Sequence, residues 1–510
     1  MKSALLVSAA IAAVSLAGCA TQDTASVTMD YGRAAVAPLQ AEDSYYETAS
    51  GRVTAREALR PAGSAKNVII FVGDGMGVST ITAGRIYAGQ KQGLDGESYQ
   101  LTMETFPNVA LSKTYGNDAQ VSDSAPTAVA MMSGVKTNNG VLGLDQRSVP
   151  DNCPASAGSD VQTIFEIAEA QGFSTGIIST ARITHATPAS TYAHTPSRDW
   201  ESDGQLRGPL AEGCTDIASQ LIDWNAGDGF EVVLGGGRSN FLTNDQADPE
   251  MPERTGYRTD GRDLVAEWEG KSADHMFVFD QAGFDAVDFG TSAKVLGLFE
   301  PSHMNYELDR AGDIAGEPSV AEMTQAAITR LSQDEDGFIL LVEGGRVDHG
   351  HHAGNAKRAL EDTYALDQAV KAALEMVDLS ETLIVVTADH SHTLAMAGYA
   401  ARGNPILGKS ATGIGTFAKG SDGKPYTTLG YLNGPGSVCG EDGCVRPDLT
   451  DVDTEADDYL QQSLMPMGSE THGGEDVAVF AAGAGSERVG GVMEQNEIFF
   501  VMARSLGLVD

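Results

Sequence analysis

The chain has 510 residues, of which 42% are hydrophobic, and its formal net charge is −38 at pH 7. This length is sufficient for one large globular domain with an insertion, or for two or three domains. Because so acidic a chain repels phosphate backbones, its composition argues against nucleic-acid binding, and any anion site must be locally positive through metal ions or arginine.

The start of the chain predicts export. Residues 1–20 read MKSALLVSAAIAAVSLAGCA, a charged start followed by an apolar run too short to span a membrane. The LAGC tetrapeptide resembles the bacterial lipoprotein cleavage box, which predicts a signal peptide over 1–18 and membrane attachment through a lipid on Cys19. The protein is then periplasmic or at the cell surface, and Ala20 favours the outer membrane. Secretion with cleavage near Ala20 is the alternative.

Residues 19–60 are polar and predict a linker and N-terminal arm, with a helix near residues 54–59. From Lys66, short apolar runs alternate with helical patterns, which is typical of an α/β fold with a mostly parallel central sheet and helices on both faces, a three-layer α/β/α sandwich. Strands are predicted at 67–73, 175–180, 231–234 and 477–481 and at runs near Phe338 and Leu383, and helices at 78–90, 125–133, 161–171, 214–224, 320–332 and 356–377.

A segment rich in Gly, Pro, Thr and Asp interrupts this alternation over residues 399–466. We interpret it as an inserted subdomain in a catalytic domain formed by 61–398 and 467–510; a disordered loop is the alternative. Besides Cys19 the chain has four cysteines, which predict disulfides in an exported protein and allow three pairings. Their spacing favours Cys439 with Cys444, which leaves Cys153 with Cys214; free thiols are the alternative.

Three apolar runs, NVIIFVGD, GFILLVEGGRVD and TLIVVTADH, each end in acidic residues. Continuous apolar runs are typical of strands buried on both faces of a parallel sheet, and the carboxyl ends of such strands meet at the ligand crevice. The pattern therefore predicts that one crevice receives Asp74, Glu343, Asp348, Asp389 and His390. Clustered carboxylates and imidazoles are costly to bury without a cation, so we expect metal ions there.

Ser124 is predicted at a helix N-terminus, because Pro126 suits the first turn of a helix. Free N–H groups favour anions there, so Ser124 is either a nucleophile or an N-cap. The run Ser-Ala-Pro-Thr begins like a sulfatase motif, but Ala128 stands where that motif needs Arg. Arg198 is either a phosphate ligand or a solvated surface residue. Mixed sets of Asp and His suit zinc. Seven of the ten histidines fall in the motif segments, at positions 185, 349, 351, 352, 390, 392 and 472.

Six segments after Lys66, in this order, resemble the alkaline phosphatase family, and its animal members more than the enteric bacterial ones. The resemblance implies a crown-like form for the insertion and a homodimer. It also implies hydrolysis of phosphate monoesters to alcohol and inorganic phosphate through a phosphoserine intermediate, with phosphate scavenging as the role. The segments are NVIIFVGDGMGVST, VALSKTYGNDAQVSDSAPTAVAMMSGVKTNNG, HATPASTYAHTPSRDW, VEGGRVDHGHH, VVTADHSH and ETHGGEDVAVF.

The resemblance also implies roles for individual residues at a site with two zinc ions and one magnesium ion. Ser124 would be the nucleophile and Arg198 the phosphate ligand, supported by Asp123. The expected ligands are Asp348, His352 and His472 for the first zinc, Asp74, Asp389 and His390 for the second zinc, and Asp74, Thr187 and Glu343 for magnesium.

Three histidines are expected around these ligands. His185 and His349 stand where enteric members carry Asp and Lys, which predicts an exchangeable magnesium ion and activation by added magnesium. His349 and His392 are expected to act on the metal ligands through water.

The resemblance further implies a calcium site, formed by Glu250, the Phe299 carbonyl, Glu300 and Glu317; ordinary surface carboxylates are the alternative. The Cys153–Cys214 and Cys439–Cys444 pairings fit the bridge regions of the family. Other functions considered are a phosphodiesterase or sulfatase of the same metalloenzyme superfamily, and a lipoprotein that binds phosphate or metal without catalysis. The missing sulfatase Arg and the complete ligand set argue against them.

Overall fold

The computed structural model describes residues 36–59, 63–413, 415–440 and 443–510. The predicted signal peptide over 1–18, the lipid site at Cys19 and the first part of the predicted linker lie outside the described residues. Among the helices that are described, none combines the length and the apolar character that crossing a membrane requires.

The strands alternate with helices along the chain, as predicted. The strands are β1 (Asn67–Gly73), β2 (Asn108–Lys113), β3 (Ser174–Arg182), β4 (Val232–Gly236), β5 (His275–Val278), β6 (Lys294–Leu298), β7 (Phe338–Gly344), β8 (Thr382–Ala388), β9 (Ser391–His392), β10 (Leu394–Met396), β11 (Ala411–Gly413), β12 (Thr416–Phe417), β13 (Leu429–Gly434), β14 (Cys439–Gly440), β15 (Gly443–Cys444), β16 (Ser463–Pro466), β17 (His472–Gly473), β18 (Val477–Gly483) and β19 (Gly491–Glu494).

The helices vary from single turns to more than twenty residues. They are α1 (Ser44–Leu59), α2 (Val78–Lys91), α3 (Ser124–Ser133), α4 (Cys153–Ser156), α5 (Ile164–Glu169), α6 (Ala186–Ala189), α7 (Ile217–Asp223), α8 (Leu264–Glu269), α9 (Gln281–Ala286), α10 (Val320–Leu331), α11 (Arg346–His352), α12 (Ala356–Met376) and α13 (Glu497–Ser505).

One sheet dominates the described residues and has ten strands in the order β19–β2–β18–β8–β1–β7–β3–β4–β6–β5. Neighbouring strands are parallel, apart from β18, which is antiparallel to both β2 and β8. The predicted α/β class with a large, mostly parallel central sheet is confirmed. Because β8, β1 and β7 are adjacent, their carboxyl ends lie side by side at one edge.

Alternate residues of β1 face two different hydrophobic cores, so helices cover both faces of the sheet. Val68, Ile70 and Val72 pack in one core with residues of α3, α5, α7 and α13. Ile69 and Phe71 pack in the other core with residues of α2, α10 and α12. A strand buried on both faces has no polar alternation, which explains the continuous apolar run in its sequence.

Several helix boundaries differ from the predictions because capping side chains set them. Thr163 accepts the N–H of Glu166 in a capping box, so α5 begins after it and is shorter than the predicted 161–171. Asp216 caps α7 by accepting the N–H of Ser219, so α7 begins at Ile217 and is shorter than the predicted 214–224. The helix predicted near 54–59 begins at Ser44 and packs on α13, with the Tyr46 ring 4.6 Å from that of Phe500.

The segment predicted to be an insertion contains short strands and turns. β10, β13 and β16 form a three-stranded sheet, while β11 pairs with β12 and β14 with β15. A small apolar core of its own joins this segment to α2 and α12 through Leu407, Leu429 and Tyr431. The structure contains the disulfides Cys153–Cys214 and Cys439–Cys444, the latter between β14 and β15.

Candidate metal centre

The carboxyl ends of three adjacent strands position the core of the site. Asp74 follows β1 and Asp389 follows β8, while Glu343 lies near the end of β7, and all three are fully buried. In the sheet register, Gly73 pairs with Ala388 and Val72 with Glu343. The structure therefore brings together three carboxylates that are far apart in sequence, as the strand-end pattern predicted.

The predicted first zinc ligands lie close to one another. The Nε2 atom of His352 is 3.2 Å from Asp348 Oδ1 and 3.2 Å from the Nε2 atom of His472. His472 Nε2 is 3.5 Å from the same oxygen of Asp348. Asp348 and His352 are four residues apart on α11, so one face of the helix presents both.

The predicted second zinc ligands form a neighbouring cluster, in which the ligand atoms of Asp74, Asp389 and His390 could hold one ion. His390 Nε2 lies 3.4 Å from Asp74 Oδ1 and 3.3 Å from Asp389 Oδ2. The Ser124 hydroxyl is in the same cluster, with Oγ 3.1 Å from His390 Nε2 and 3.4 Å from Asp74 Oδ1.

Backbone carbonyls orient the three histidines of these clusters. The Nδ1 atom of His352 lies 2.5 Å from the Glu470 carbonyl, and that of His472 lies 2.8 Å from the Ser122 carbonyl. His390 Nδ1 lies 3.3 Å from the Ser391 carbonyl. A proton on Nδ1 leaves the lone pair on Nε2, which is the atom that each ring points into its cluster. Two Asp and His sets of this kind fit zinc.

Each predicted magnesium ligand has one side-chain oxygen that lacks a hydrogen-bond partner. Asp74 Oδ2, Thr187 Oγ1 and Glu343 Oε1 are buried and have no hydrogen-bond partner among the described residues. Ser179 donates to the other carboxylate oxygen of Glu343. Buried polar atoms are seldom left unpaired, so this donor set fits a hard divalent cation such as magnesium.

The site carries more negative charge than a buried cluster tolerates by itself. Burial raises the pKa of Asp74 well above its ordinary value, and the charges of Asp389, Asp348 and Glu343 raise it further. Burial likewise raises the pKa of Glu343 to about 8 and raises the pKa of Asp389. Cations in these clusters would hold the carboxylates in their ionised form.

The pKa of Asp348 is shifted in the opposite direction from those of the other carboxylates, because histidines donate hydrogen bonds to Asp348. Burial opposes the effect, but hydrogen bonds from His392 and His472 lower the pKa of Asp348 well below its ordinary value. The pKa of His392 is raised to about 9 against the effect of burial, since its ring contacts the carboxylates of Asp348 and Glu470. His392 contacts Asp348 directly, since its Nε2 atom lies 2.8 Å from Asp348 Oδ1.

Ser124 is the first residue of α3, and Asp123 serves as its N-cap. The Ala125 N–H donates to Asp123 Oδ1 across 2.7 Å, and the Gly140 N–H donates to Asp123 Oδ2 across 2.6 Å. Arg198 donates from Nη1 to Asp123 Oδ1 across 3.2 Å and from Nη2 to His185 Nε2 across 2.9 Å. Arg198 is therefore held beside Ser124 and is not a solvated surface residue.

His185 and His349 belong to a group of three imidazoles near Glu343, whereas His351 contacts Thr80 and Tyr431. The rings of His185 and His349 are 5.6 Å apart, and the ring of His303 lies 4.0 Å from that of His349. Burial lowers the pKa of His349 to about 3 and that of His185 well below its ordinary value, so these rings are neutral. Sequence reasoning missed His303, whose motif PSHM gives no sign of its position.

Three of the predicted calcium ligands lie near one another, because the charges of Glu250 and Glu317 act on Glu300 and raise its pKa beyond the effect of burial. Phe299 and Glu300 follow β6, and burial raises the pKa values of Glu300 and Glu317 to about 8. One oxygen of Glu250 accepts from Arg238, and its other oxygen has no partner among the described residues. Sequence reasoning missed Asp313 in this group, and in the first zinc cluster it missed Glu470.

Comparison with known proteins gives a consistent result. The profile of the family described as "Alkaline phosphatase" matches residues 65–508. The chain is 44% identical to the tissue-nonspecific isozyme of alkaline phosphatase from Gallus gallus over 485 residues, 92% of this chain and 91% of that one. It is 43% identical to alkaline phosphatase from Gadus morhua, over 86% of this chain and 91% of that one.

Among solved structures, alkaline phosphatase from Thermus thermophilus is similar with a TM-score of 0.62 and 25% identity. The similarity covers 88% of this chain and 92% of that one. The described fold is therefore shared with a bacterial enzyme, while the two sequence relatives named above are animal proteins.

Proposed function

This chain belongs to the alkaline phosphatase family and hydrolyses phosphate monoesters, and we propose that it does so through a phosphoserine intermediate formed on Ser124. The position of the Ser124 hydroxyl carries the proposal. It is buried at the N-terminus of α3, within 3.4 Å of Asp74 and His390, and beside Arg198. N–H groups of a helix N-terminus, a guanidinium and a hydroxyl at one point suit a phosphate monoester dianion.

The residues of the three clusters fit two zinc ions and one magnesium ion. Asp348, His352 and His472 would hold one zinc, Asp74, Asp389 and His390 the other, and Asp74, Thr187 and Glu343 the magnesium. When bound, these ions act as Lewis acids that offset the charge of the phosphate and lower the pKa of the attacking oxygens.

Arg198 binds and orients the phosphate. Its guanidinium matches two non-bridging oxygens in a fork, and Asp123 and His185 fix the direction of that fork. Because Asp123 also caps α3, a single carboxylate aligns the phosphate ligand with the nucleophile. Such positioning and charge stabilisation account for most of the catalysis in phosphoryl transfer.

Two displacements at phosphorus complete the reaction. In the first, Ser124 Oγ forms a bond to phosphorus while the bond to the leaving alcohol oxygen breaks, and that oxygen takes up a proton. In the second, water attacks phosphorus, the bond to Oγ breaks, and Ser124 regains its proton. The products are an alcohol and inorganic phosphate.

Replacement of the nucleophile tests this proposal. We expect Ser124→Ala to lose at least about 99.9% of turnover of a chromogenic phosphate monoester, because only direct attack by water remains. Ser133→Ala, a buried serine at the other end of α3, is the matched control and retains turnover. Acid quenching of the wild-type protein with labelled phosphate should trap label on the peptide that contains Ser124. Turnover by Ser124→Ala at the wild-type rate would refute the proposal.

A fourth metal ion is also proposed. Glu250, the Phe299 carbonyl, Glu300 and Glu317 would hold calcium, which prefers flexible sets of carboxylate and carbonyl oxygens. The unpartnered, buried oxygens of Glu250 and Glu317 support this proposal. Calcium there would stabilise the fold, because an ion that binds only the folded chain shifts the unfolding equilibrium towards the folded state.

We propose that the protein is exported, is anchored by a lipid on Cys19, and scavenges phosphate from diverse monoesters as a homodimer. The LAGC box, the disulfides and the family support this proposal. Fractionation of cells that carry the wild type or Cys19→Ala tests the anchor, since only the wild type should sediment with outer membranes. Equal distribution of both forms would exclude a lipid on Cys19. Sedimentation velocity of the soluble form tests the dimer.

A further inference from the structure

We propose that Asp313 is a further ligand of the proposed calcium site. The site then has four carboxylates, one more than the three that the sequence predicted. The inference deepens the calcium part of the proposed function and does not depend on the phosphatase reaction. The carboxylates come from two loops, with Glu250 before β5 and the other three between β6 and α10. The four residues are Glu250, Glu300, Asp313 and Glu317.

Asn305 gathers three of these carboxylates around itself. Its backbone N–H donates to Glu317 Oε1 across 2.9 Å, and its side-chain Nδ2 donates to Glu300 Oε1 across 2.9 Å. The same Nδ2 lies 3.5 Å from Asp313 Oδ1. One residue thus contacts one oxygen of each carboxylate, and the second oxygens of Asp313 and Glu317 have no hydrogen-bond partner among the described residues.

The available oxygens lack partners. Glu317 Oε2, Asp313 Oδ2 and Glu250 Oε1 are buried and make no hydrogen bond to the described residues. Glu317 is only 2% exposed, so water cannot readily solvate its free oxygen. Buried carboxylate oxygens without partners are costly, and together they form an oxygen-rich cradle for a cation.

Nearby arginines do not neutralise the group. Arg238 binds Asp248 through Nε and Nη2 and contacts Glu250 from the same Nη2 atom, so its single charge is shared between two carboxylates. Arg310 donates to Glu307 through Nε and Nη2 and reaches Glu317 only at the backbone carbonyl. Glu300, Asp313 and Glu317 therefore have no cationic side chain bound to their oxygens in the described contacts.

Asp313 also faces the carboxylates of Glu250 and Glu300. A divalent cation among these oxygens would offset the mutual repulsion of the carboxylates. An all-oxygen set on two loops suits calcium, whose coordination is flexible, better than magnesium, which demands an octahedron, or zinc, which favours nitrogen and sulfur.

Calcium titration of Asp313→Asn tests the role of this residue. The full-length protein is stripped of metals, reloaded with zinc and magnesium, and titrated with calcium chloride at pH 8 by calorimetry and by thermal unfolding. We expect the wild type to bind one calcium ion per chain with a rise in its thermal midpoint. The variant should bind calcium about tenfold more weakly or worse, because affinity follows the number of charged ligands.

A second readout separates a ligand from a merely structural residue. Without calcium, Asp313→Asn should unfold at a higher temperature than the wild type, because one mutually repelling charge is gone. With saturating calcium, the order of the two should reverse. Asp285→Asn, an exposed carboxylate on α9, is the matched control and should behave as the wild type does in both conditions.

Two results would overturn the inference: wild-type calcium affinity in Asp313→Asn, or no calcium binding by the wild type. Phosphatase turnover is measured in parallel on the same preparations. Turnover without calcium binding would remove this inference and leave the proposed phosphatase reaction intact, whereas calcium binding without turnover would do the reverse.

Discussion

Glu470 and His392 form a fully buried ion pair, in which His392 Nδ1 lies 2.5 Å from Glu470 Oε2. The other nitrogen of that ring contacts Asp348, a proposed zinc ligand. The Glu470 carbonyl also accepts from His352 Nδ1, so one residue orients two parts of the first zinc cluster. Thr393 donates to the remaining Oε1 atom of Glu470 from its backbone N–H and its hydroxyl.

Glu470→Gln should therefore weaken the first zinc site without removing a ligand. The amide cannot balance the charge of His392, so Asp348 loses its fixed orientation. We expect zinc affinity, measured by competition with a chromogenic chelator, to fall about 10- to 100-fold, as is typical of residues that orient metal ligands. Thr393→Ser keeps the hydroxyl and is the control. Wild-type zinc affinity in Glu470→Gln would contradict this assignment.

Arg198→Lys should lower kcat/KM for a phosphate monoester about 10- to 100-fold, although the charge is retained. Lysine presents a point charge in place of a planar fork, and it cannot contact Asp123 and His185 at once. Inhibition by inorganic phosphate should weaken in parallel, because the same fork binds the product. Arg147→Lys, at an exposed arginine paired with Asp145, is the control. Unchanged phosphate inhibition in Arg198→Lys would place the phosphate elsewhere.

The sequence predicts the central strands well because burial on both faces leaves an unmistakable apolar run, as in β1, β7 and β8. It misses β2, a strand with one exposed face in which Val109 and Leu111 alternate with buried residues. It also misses α13, in which the five consecutive apolar residues Ile498–Met502 are all buried and could equally form a short strand. Val109 and Leu111 are apolar although they are exposed, and the apolar run in α13 is as short as a strand, so hydrophobicity does not mark the secondary structure in either element.

The strand pattern likewise predicts only some residues of the candidate site. The ends of apolar runs predict Asp74, Glu343 and Asp389, because strand ends in a parallel sheet converge. His472 and Thr187 required the family resemblance, since no local pattern marks them. Asp313 was inaccessible to both arguments, because one carboxylate in an acidic loop resembles any other until Asn305 is seen to gather three of them.

Metal binding to the stripped protein at pH 7 should release protons, on the order of one to three per chain. Burial and mutual repulsion raise the pKa values of Asp74 and Asp389 and bring that of Glu343 to about 8, so the metal-free cluster holds protons that the ions displace. Calorimetry in two non-coordinating buffers with different ionisation enthalpies measures the number. An apparent binding enthalpy that is the same in both buffers would contradict the prediction.

A pair of buried glutamates outside the metal clusters predicts a pH dependence of stability. Lys294 donates to Glu231 Oε1 across 3.0 Å, whereas the Glu169 carboxylate accepts from the Thr175 hydroxyl across 2.6 Å and from no cation among the described residues. Burial and the charge of Glu231 therefore raise the pKa of Glu169 to about 8. The folded protein then keeps a proton that the unfolded chain has lost above its ordinary pKa of about 4.5.

The metal-loaded protein should consequently lose stability as the pH rises from about 5 to about 8, because the folded state binds more protons than the unfolded state in that window. Glu169→Gln cannot ionise and still accepts from Thr175, so it should flatten this decline and stabilise the protein at pH 8 by up to a few kcal/mol, at about 1.4 kcal/mol for each unit of the pKa shift. Urea unfolding at pH 5, 6.5 and 8 provides the measurement, with the exposed Glu335→Gln as control. A decline as steep in Glu169→Gln as in the control would show that Glu169 is ionised in the folded protein, with Lys294 serving both carboxylates.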